Sequence, residues 1–471
     1  MLRRRRRSGR WAVTVMVAGA LCGCGGGGDG ATTCATAFGE RAEGDGLRSA
    51  RPAAEARYRP LITSARGVAE LYERILEQAR TFPGDGDVLR SRWAAAHSIT
   101  LDHSRLGPVA GGAVLVSGAT EETGTDENRV VKGGRVGALR VSDGKLLWNR
   151  SGALGDASEA PHGVGVALAE GPGGGYRTER GPARPRAAGL DLRTGRRLWC
   201  TSAPEPSAMP YELAPAGPGV AAGIFFADEG FAGTLKAIRV ADGGVLWSAR
   251  APRDSNYREL VAGGGIVAAA TEPASPYSKH APSELAAYRT SDGAKLWRKG
   301  DSAGPGRPGH TERRPVAVGE KSVVVVETSF GRSAPKGETR VAAYRVTDGR
   351  LRWSRPVPDT TGIDEVDVVG SRVLAVAGGR ATAFDLSDGR TAWSRPTRHR
   401  PLVRDAAVHG DRLYAPQRDA PGLVVLDLER GTTRTTLEFL KDPSYGLSTA
   451  DGVLLVQYAN LTLAFDLPPA G

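Results

Sequence analysis

One eleven-residue frame recurs along this chain and leaves it few ways to fold. Residues 383–393 read A-F-D-L-S-D-G-R-T-A-W, and residues 343–353 read A-Y-R-V-T-D-G-R-L-R-W. A small residue, an apolar one, a charged one, a gap, a Gly, and a Trp four positions later appear in the same order at 138–148, 189–199, 237–247 and 287–297. The copies end on Trp148, Trp199, Trp247, Trp297, Trp353 and Trp393, at a mean spacing of 49 residues. A seventh copy, V-L-D-L-E-R-G at 425–431, lacks the Trp; an eighth, A-F-D-L at 464–467, stops before the turn. A period of this length marks a repeat architecture in which each unit buries its apolar faces against its neighbours.

Each copy reads as two short strands joined by a tight turn, with Asp-Gly supplying positive φ angles. Upstream of each lies a second pair of apolar runs, for example R-P-V-A-V-G-E-K-S-V-V-V-V-E at 314–327 and E-V-D-V-V-G-S-R-V-L-A-V at 365–376. The abundance of Gly, 64 residues, and of Pro, 30 residues, suits many turns between short strands. Four strands per unit, named A to D, specify a β-propeller rather than a solenoid. The last unit, 446–467, has strands A to C but no D, and Trp93 in R-S-R-W-A-A stands alone at the other end. Placing Trp93 on the missing strand D closes the ring with an N-terminal strand. The expectation is an all-β, eight-bladed propeller, with seven blades as the alternative because the second unit shows no clear strand A before His162. Residues 61–82 differ: Val68, Leu71, Tyr72, Ile75 and Ala79 follow a helical period and predict one N-terminal amphipathic helix.

The first residues bear on compartment. Arg3 to Arg10 form a basic stretch, Trp11–Leu21 a short apolar one, and L-C-G-C-G-G-G-G follows. This pattern resembles a bacterial lipoprotein signal with Cys24 as the acylated residue, Gly23 before it and Leu21 two positions further back. Lipid on Cys24 would hold the protein on the extracytoplasmic face of a cell membrane. The implied organisation is a signal peptide at 1–23, a Gly-rich tether at 24–50, a helical segment at 51–89 and the propeller at 90–471. Removing the signal takes away six arginines and lowers the net charge from +11 to +5, so no nucleic-acid partner is expected. Cys34 and Cys200 then remain as the candidate disulfide; two unrelated thiols is the other reading.

The frame small-x-Asp-x-x-x-Gly-x-x-x-Trp resembles the repeat of the propellers named for pyrroloquinoline quinone (PQQ). That family spans quinoprotein alcohol dehydrogenases and the BamB-like outer-membrane assembly lipoproteins. The resemblance covers about 90 to 467 and differs from a WD40 repeat, which would end in Trp-Asp. It implies that Trp93, Trp148, Trp199, Trp247, Trp297, Trp353 and Trp393 are structural residues packed between blades, with or without a quinone. A dehydrogenase of the family would need acid and amide ligands to calcium, a general-base Asp and often vicinal cysteines. No Cys-Cys pair occurs. The acids nearest the expected funnel, Asp156, Glu159, Glu365 and Asp405, show no spacing that separates them from solvated loop charges. No G-x-S-x-G, Walker loop, EF-hand string or paired metal-binding His is present.

Propeller topology puts the A–B and C–D turns on one face and the B–C and D–A connections on the other. The long segments 119–135, 170–186, 272–284 and 329–339 are B–C connections, and 300–313, 355–363 and 395–404 are D–A links. Variable length on one face of a repeat fold points to the binding side. Arg177, Arg184, Arg307, Arg313, Arg332, Arg398 and Arg400 populate these segments, together with Arg180, Arg186, Arg314, Arg395 and Arg404. They suit an acidic partner, an anionic cell-wall polymer or lipid headgroups. The expectation is a monomeric, membrane-anchored, non-catalytic scaffold with no cofactor. A PQQ- and calcium-dependent dehydrogenase is the alternative.

Overall fold

A run of consecutive buried apolar residues in a middle strand can exist only where both faces of the sheet are covered. Val323, Val324, Val325 and Val326 are all buried in the strand Ser322–Phe330. The outer strand Lys295–Gly300 instead buries only Trp297 fully. This is the expected result when four-stranded sheets stack face to face around an axis with their last strands at the rim.

The computed structural model describes residues 51–52, 90–96, 105–118, 121–123, 130–132, 135–151, 153–154, 164–169, 186–200, 209–227, 230–273, 283–300, 310–330, 338–357, 365–398, 400–418, 422–437, 445–458 and 461–469. Among these residues seven antiparallel sheets have four consecutive strands each, A to D, and form blades 1 to 7. Blade 1 starts at Arg105, and blade 7 ends at Leu437. Blade 4, for instance, comprises Ser255–Gly263, Ile266–Pro273, Glu284–Arg289 and Lys295–Gly300. Blade 2 has a strand A of only two residues, Ala153–Leu154. Blade 1 carries an extra hairpin, Glu121–Thr123 with Val130–Lys132, in its B–C connection.

A further sheet is composite. Tyr445–Ala450, Val453–Tyr458 and Leu461–Asp466 supply strands A to C, and Arg90–Ala96 pairs with the last of them as strand D. Arg51–Pro52, expected within the helical segment, adds a fifth strand to the outer edge of Arg90–Ala96. The expected helix at 61–82 lies outside the described residues, as do the signal and tether.

The turn after each strand C differs from the two-residue hairpin expected from Asp-Gly. It is a four-residue loop: the Arg140 N–H donates to the Lys145 carbonyl, and the Gly144 N–H donates to the Arg140 carbonyl. Only the Gly has a positive φ, +67° at Gly144; the Asp keeps an ordinary one. The Asp side chain explains this, because Asp143 Oδ1 accepts the Lys145 N–H at 3.0 Å and caps the turn from within. Two-residue turns with paired positive φ values do occur between strands A and B, at Gly111–Gly112 and Asp451–Gly452. In blades 1 and 3 to 7 the two turns are stitched together on one face, as where the Val141 N–H donates to the Gly112 carbonyl and the Leu428 N–H to the Asp411 carbonyl. We call this the turn face, and the opposite one the link face.

The frame Gly is where neighbouring blades meet. Trp353 of blade 5 donates its indole N–H to the Leu386 carbonyl of blade 6 at 3.0 Å. A Cβ on Gly389 would stand 2.5 Å from the Trp353 ring, so only Gly lets the indole lie on the turn. Trp93, Trp148, Trp247, Trp297 and Trp393 make the same cross-blade bond at 2.6–2.9 Å, to Val141, Leu192, Thr290, Val346 and Leu428. Trp199 bonds the Val240 carbonyl likewise. Each Trp stands opposite a small residue of its own strand C, such as Ala383 opposite Trp393. In blade 7 that pair is Val425 with Thr435, so a larger residue faces the smaller one. The seam from blade 7 to the composite sheet is joined instead by His409 Nε2 to the Pro468 carbonyl at 3.0 Å and by the Thr449 hydroxyl donating to the Val408 carbonyl at 3.0 Å.

Candidate functional site

The first strands of neighbouring blades touch, 3 with 4, 4 with 5 and 5 with 6, so strand A lines the axis. Each enters from the link face. Strand A of blade 4 is S-N-Y-R-E-L-V-A-G, that of blade 5 is H-T-E-R-R-P-V-A-V and that of blade 6 is E-V-D-V-V. A short 3-10 turn, Val403–Asp405, precedes the blade 7 strand Ala407–His409. Pleating sends alternate side chains toward the axis. The link-face end of the axis therefore gathers Glu259, Glu312, Arg314, Glu365, Asp367, Arg404 and Asp405 from four consecutive blades.

These charges feel one another through partly dehydrated surroundings. Burial pushes the Glu259 carboxyl up, against the pull of Arg314, Arg404 and Arg258. Burial also raises Glu365, with Arg404 and Arg418 opposing and Asp405 reinforcing. Asp367 is pushed up to about 6 by burial, although the Val368 N–H donates to its Oδ1 at 2.7 Å. Asp405 is raised by burial alone, with Arg404 opposing. Arg314 is shifted down by burial and then by the like charge of Arg404. The direct ion pair in the group joins Arg418 to Glu365 Oε1 at 3.0 Å; Glu365 Oε2 is buried with no hydrogen-bond partner.

A cleft of about 140 Å³ opens beside this mouth, between blades 4 and 5. Arg258, Glu259, Glu272, Glu284, Glu312, Arg313 and Arg314 give it charge of both signs. Arg258 pairs with Glu272 at 2.7 Å on its rim. Glu284, its side chain 8 % exposed, is held more loosely by Lys295 at 3.4 Å and Arg298 at 3.6 Å. Arg313 donates through Nε to Glu327 at 3.0 Å, and the Tyr344 hydroxyl donates to the same carboxylate. The Arg313 Nη1 is buried without a hydrogen-bond partner.

Of the arginines singled out from sequence, Arg313 lies in this cleft, Arg398 is exposed just beyond blade 6, and Arg400 is half-buried nearby. Arg177, Arg184, Arg307 and Arg332 lie outside the described residues, as do Cys24 and Cys34. Cys200 ends strand D of blade 2. Glu365 and Asp405, read from sequence as ordinary loop charges, belong to the axial cluster; Asp156 and Glu159 lie outside the described residues. Sequence reasoning missed Glu259, Glu312 and Asp367. The signal was there: two charges spaced two apart on one short strand, as Glu365 and Asp367 in E-V-D-V-V, fall on the same face of it.

Arg314, Arg404 and Arg418 stand among the carboxylates of the cluster. Among the described residues no three His, Cys, Asp or Glu are placed to share a metal ion. What the arrangement can do is present a semi-rigid, mixed-charge surface to a polar partner.

A family model described as outer membrane protein assembly factor BamB matches residues 183–375 and 281–458, together more than half of the chain. Similar solved structures include BamB from Moraxella catarrhalis, at 14 % identity and a TM-score of 0.49, covering 81 % of this chain and 100 % of that one. The computationally designed protein Ika8 matches at 13 % identity and a TM-score of 0.52, covering 79 % and 100 %. The likeness to Ika8 speaks for the fold alone. No curated protein sequence matches the chain.

Proposed function

We propose a function from a settled premise: this chain belongs to the PQQ-like β-propeller family, whose matching model carries the BamB description. The protein is an extracytoplasmic lipoprotein, anchored through Cys24, that acts as a non-catalytic scaffold and binds a protein partner on its link face. The observation that carries this reading is the contrast within the axial strands. Four consecutive blades send charged, half-dehydrated side chains to one mouth, on the face where the connections are longest. Groups dehydrated in this way bind complementary charge more strongly than fully solvated ones. Arg313 lines the cleft beside that mouth, and Arg398 and Arg400 follow blade 6 in the chain. A monomer is sufficient for this role. The composite sheet acts as an eighth blade, a count supported by the Trp93–Val141 bond, which repeats the clasp of the other seams.

The test compares charge reversals on the two faces. Arg404→Glu with Arg398→Glu on the link face should abolish partner co-purification from detergent-solubilised membranes, while Asp242→Lys on the turn face should leave it intact. Loss from both faces, or from neither, would overturn the assignment. Turnover of alcohols or sugars by protein supplied with PQQ and calcium, read by dye reduction, would overturn the non-catalytic reading. Globomycin-sensitive processing that disappears in Cys24→Ser checks the anchor. Images of the ring down its axis showing seven lobes would refute the eighth blade.

A further inference from the structure

We infer that the cleft between blades 4 and 5 binds a free basic α-amino acid, with its ammonium groups held by Glu259 and Glu312 and its carboxylate by Arg314. Neither a lipid anchor nor a protein partner is required. The local fold builds the site. Strand A of blade 5 lies against strands A and B of blade 4. Tyr257 stands opposite Thr271 and Glu259 opposite Ala270, so Arg258 is the extra residue of a β-bulge. A regular strand would send Arg258 and Glu259 to opposite faces, but both line the cleft. The Thr271 hydroxyl accepts the Glu284 N–H at 3.1 Å and donates to the Glu284 carbonyl at 3.3 Å, which ties strands B and C together beside it.

Setting aside the groups already paired selects the ligand. Arg258 is taken by Glu272 at 2.7 Å, Arg313 by Glu327 at 3.0 Å, and Glu284 by Lys295 at 3.4 Å and Arg298 at 3.6 Å. Of the charged lining, Glu259, Glu312 and Arg314 remain; among the described residues they make no ion pair or side-chain hydrogen bond. They attract one another all the same, Arg314 acting on Glu259 and both acids on Arg314. Opposite charges that attract without touching leave a gap that a dipolar molecule fits. Burial raises the Glu259 carboxyl and lowers Arg314, so water screens them less than it screens surface charges and an incoming opposite charge is held more firmly. Two acids against one Arg favour a ligand with two ammonium groups and one carboxylate. Lysine and ornithine have that composition; glutamate has the reverse. The volume of about 140 Å³ is close to that of the ~150 Å³ cavity that holds a benzene ring, which suits a single amino acid.

The experiment titrates L-lysine into the full-length protein in detergent and reads the heat. The expected dissociation constant is about 1 mM or tighter. Nα-acetyl-lysine lacks the α-ammonium and lysinamide lacks the carboxylate; each should bind at least about tenfold more weakly, the loss of one charge-assisted hydrogen bond. L-Glutamate should fall behind lysine by about the same factor or more. Glu259→Gln and Arg314→Gln remove the charges and keep hydrogen-bonding groups, and each should weaken lysine binding at least about tenfold. Arg350→Ala, at an exposed place on the turn face, should leave it unchanged. Thermal unfolding at the parent's temperature shows that the Gln variants are folded; if either is not, the analogue series on the parent protein decides alone. Absence of heat at about 10 mM lysine overturns the inference. So does either analogue binding as well as lysine, glutamate binding as tightly, or folded Gln variants that bind like the parent.

Discussion

On the turn face, Gly389 lies under Trp353 while the Leu386 carbonyl accepts its indole N–H, and the same cross-blade bond recurs at six further seams from Trp93 to Trp393. On the link face, the residues at one register position of strand A change sign from blade to blade: Glu259 opposite Ala270, Arg314 opposite Val326 and Glu365 opposite Val376. The same four strands serve both faces. The first face repeats because the seven Trp-bearing seams pose the same packing problem; the second diverges because no shared packing constraint acts there. That difference makes separable claims about stability and binding.

The largest expected effect tests the repeated face. Trp353 is 5 % exposed and fills the seam between blades 5 and 6 against Val373, Ala375 and Phe384. Truncation to Ala removes an indole's worth of buried surface and orphans the Leu386 carbonyl, so Trp353→Ala should cost about 3–5 kcal/mol. Arg398→Ala on the other face should change stability by less than about 0.5 kcal/mol. Chemical denaturation of the two variants checks the pair. A cost below about 1 kcal/mol for the Trp variant would show that the clasp does not hold the seam.

The same contrast decides what could be read without coordinates. The frame announced strands C and D, the seam Trp residues and the composite closure, because each depends on residues repeated at a fixed period. The two-residue strand Ala153–Leu154 was not legible, since two residues carry no period. Nor was the pairing of Arg51–Pro52 with Ala94 and Trp93, which is a backbone contact without side-chain pattern. The Asp-Gly turn was misjudged for a specific reason: Asp143 stabilises the loop by accepting the Lys145 N–H, rather than by adopting a positive φ itself. The axial cluster escaped because Glu365 and Asp405 come from separate blades that only the closed ring brings together.

A middle-sized effect tests the axial cluster. Asp367 titrates near 6 in the folded protein against 3.8 ordinarily. Its folded form binds the proton more tightly than the unfolded chain does. This group's contribution is therefore fully present below pH 4, falls as pH rises toward 6, and is lost above it. The penalty for carrying the buried charge above pH 6 is at most about 3 kcal/mol. Asp367→Asn keeps an acceptor for the Val368 N–H and removes the charge. It should stabilise the protein at pH 7, leave it nearly unchanged at pH 4, and flatten the stability profile between them. A variant with the parent's slope would move the titration to Glu365 or Glu259, whose carboxyls burial also raises.

The smallest effect returns to the repeated frame and asks which part of its charge matters. Arg140 and Asp143 form an exposed pair at 2.9 Å, each side chain nearly half exposed. The same Arg–Asp spacing recurs at Arg239–Asp242, Arg289–Asp292 and Arg345–Asp348. Recurrence invites the view that the ion pair is the conserved device of the turn, yet exposed pairs of this kind contribute little in water. The backbone bond from Lys145 to Asp143 Oδ1 is the better candidate, because two turns without that Arg keep an equivalent bond: Asp388 Oδ1 accepts the Arg390 N–H at 2.9 Å, and the Thr194 hydroxyl oxygen accepts the Arg196 N–H at 3.3 Å. Asp143→Ala should therefore cost about 1 kcal/mol, and Arg140→Ala about half of that or less. Raising the salt concentration should reduce the Arg140 effect and leave most of the Asp143 effect. Equal costs that vanish together in salt would make the turn's stability ionic, and the capping account would fail.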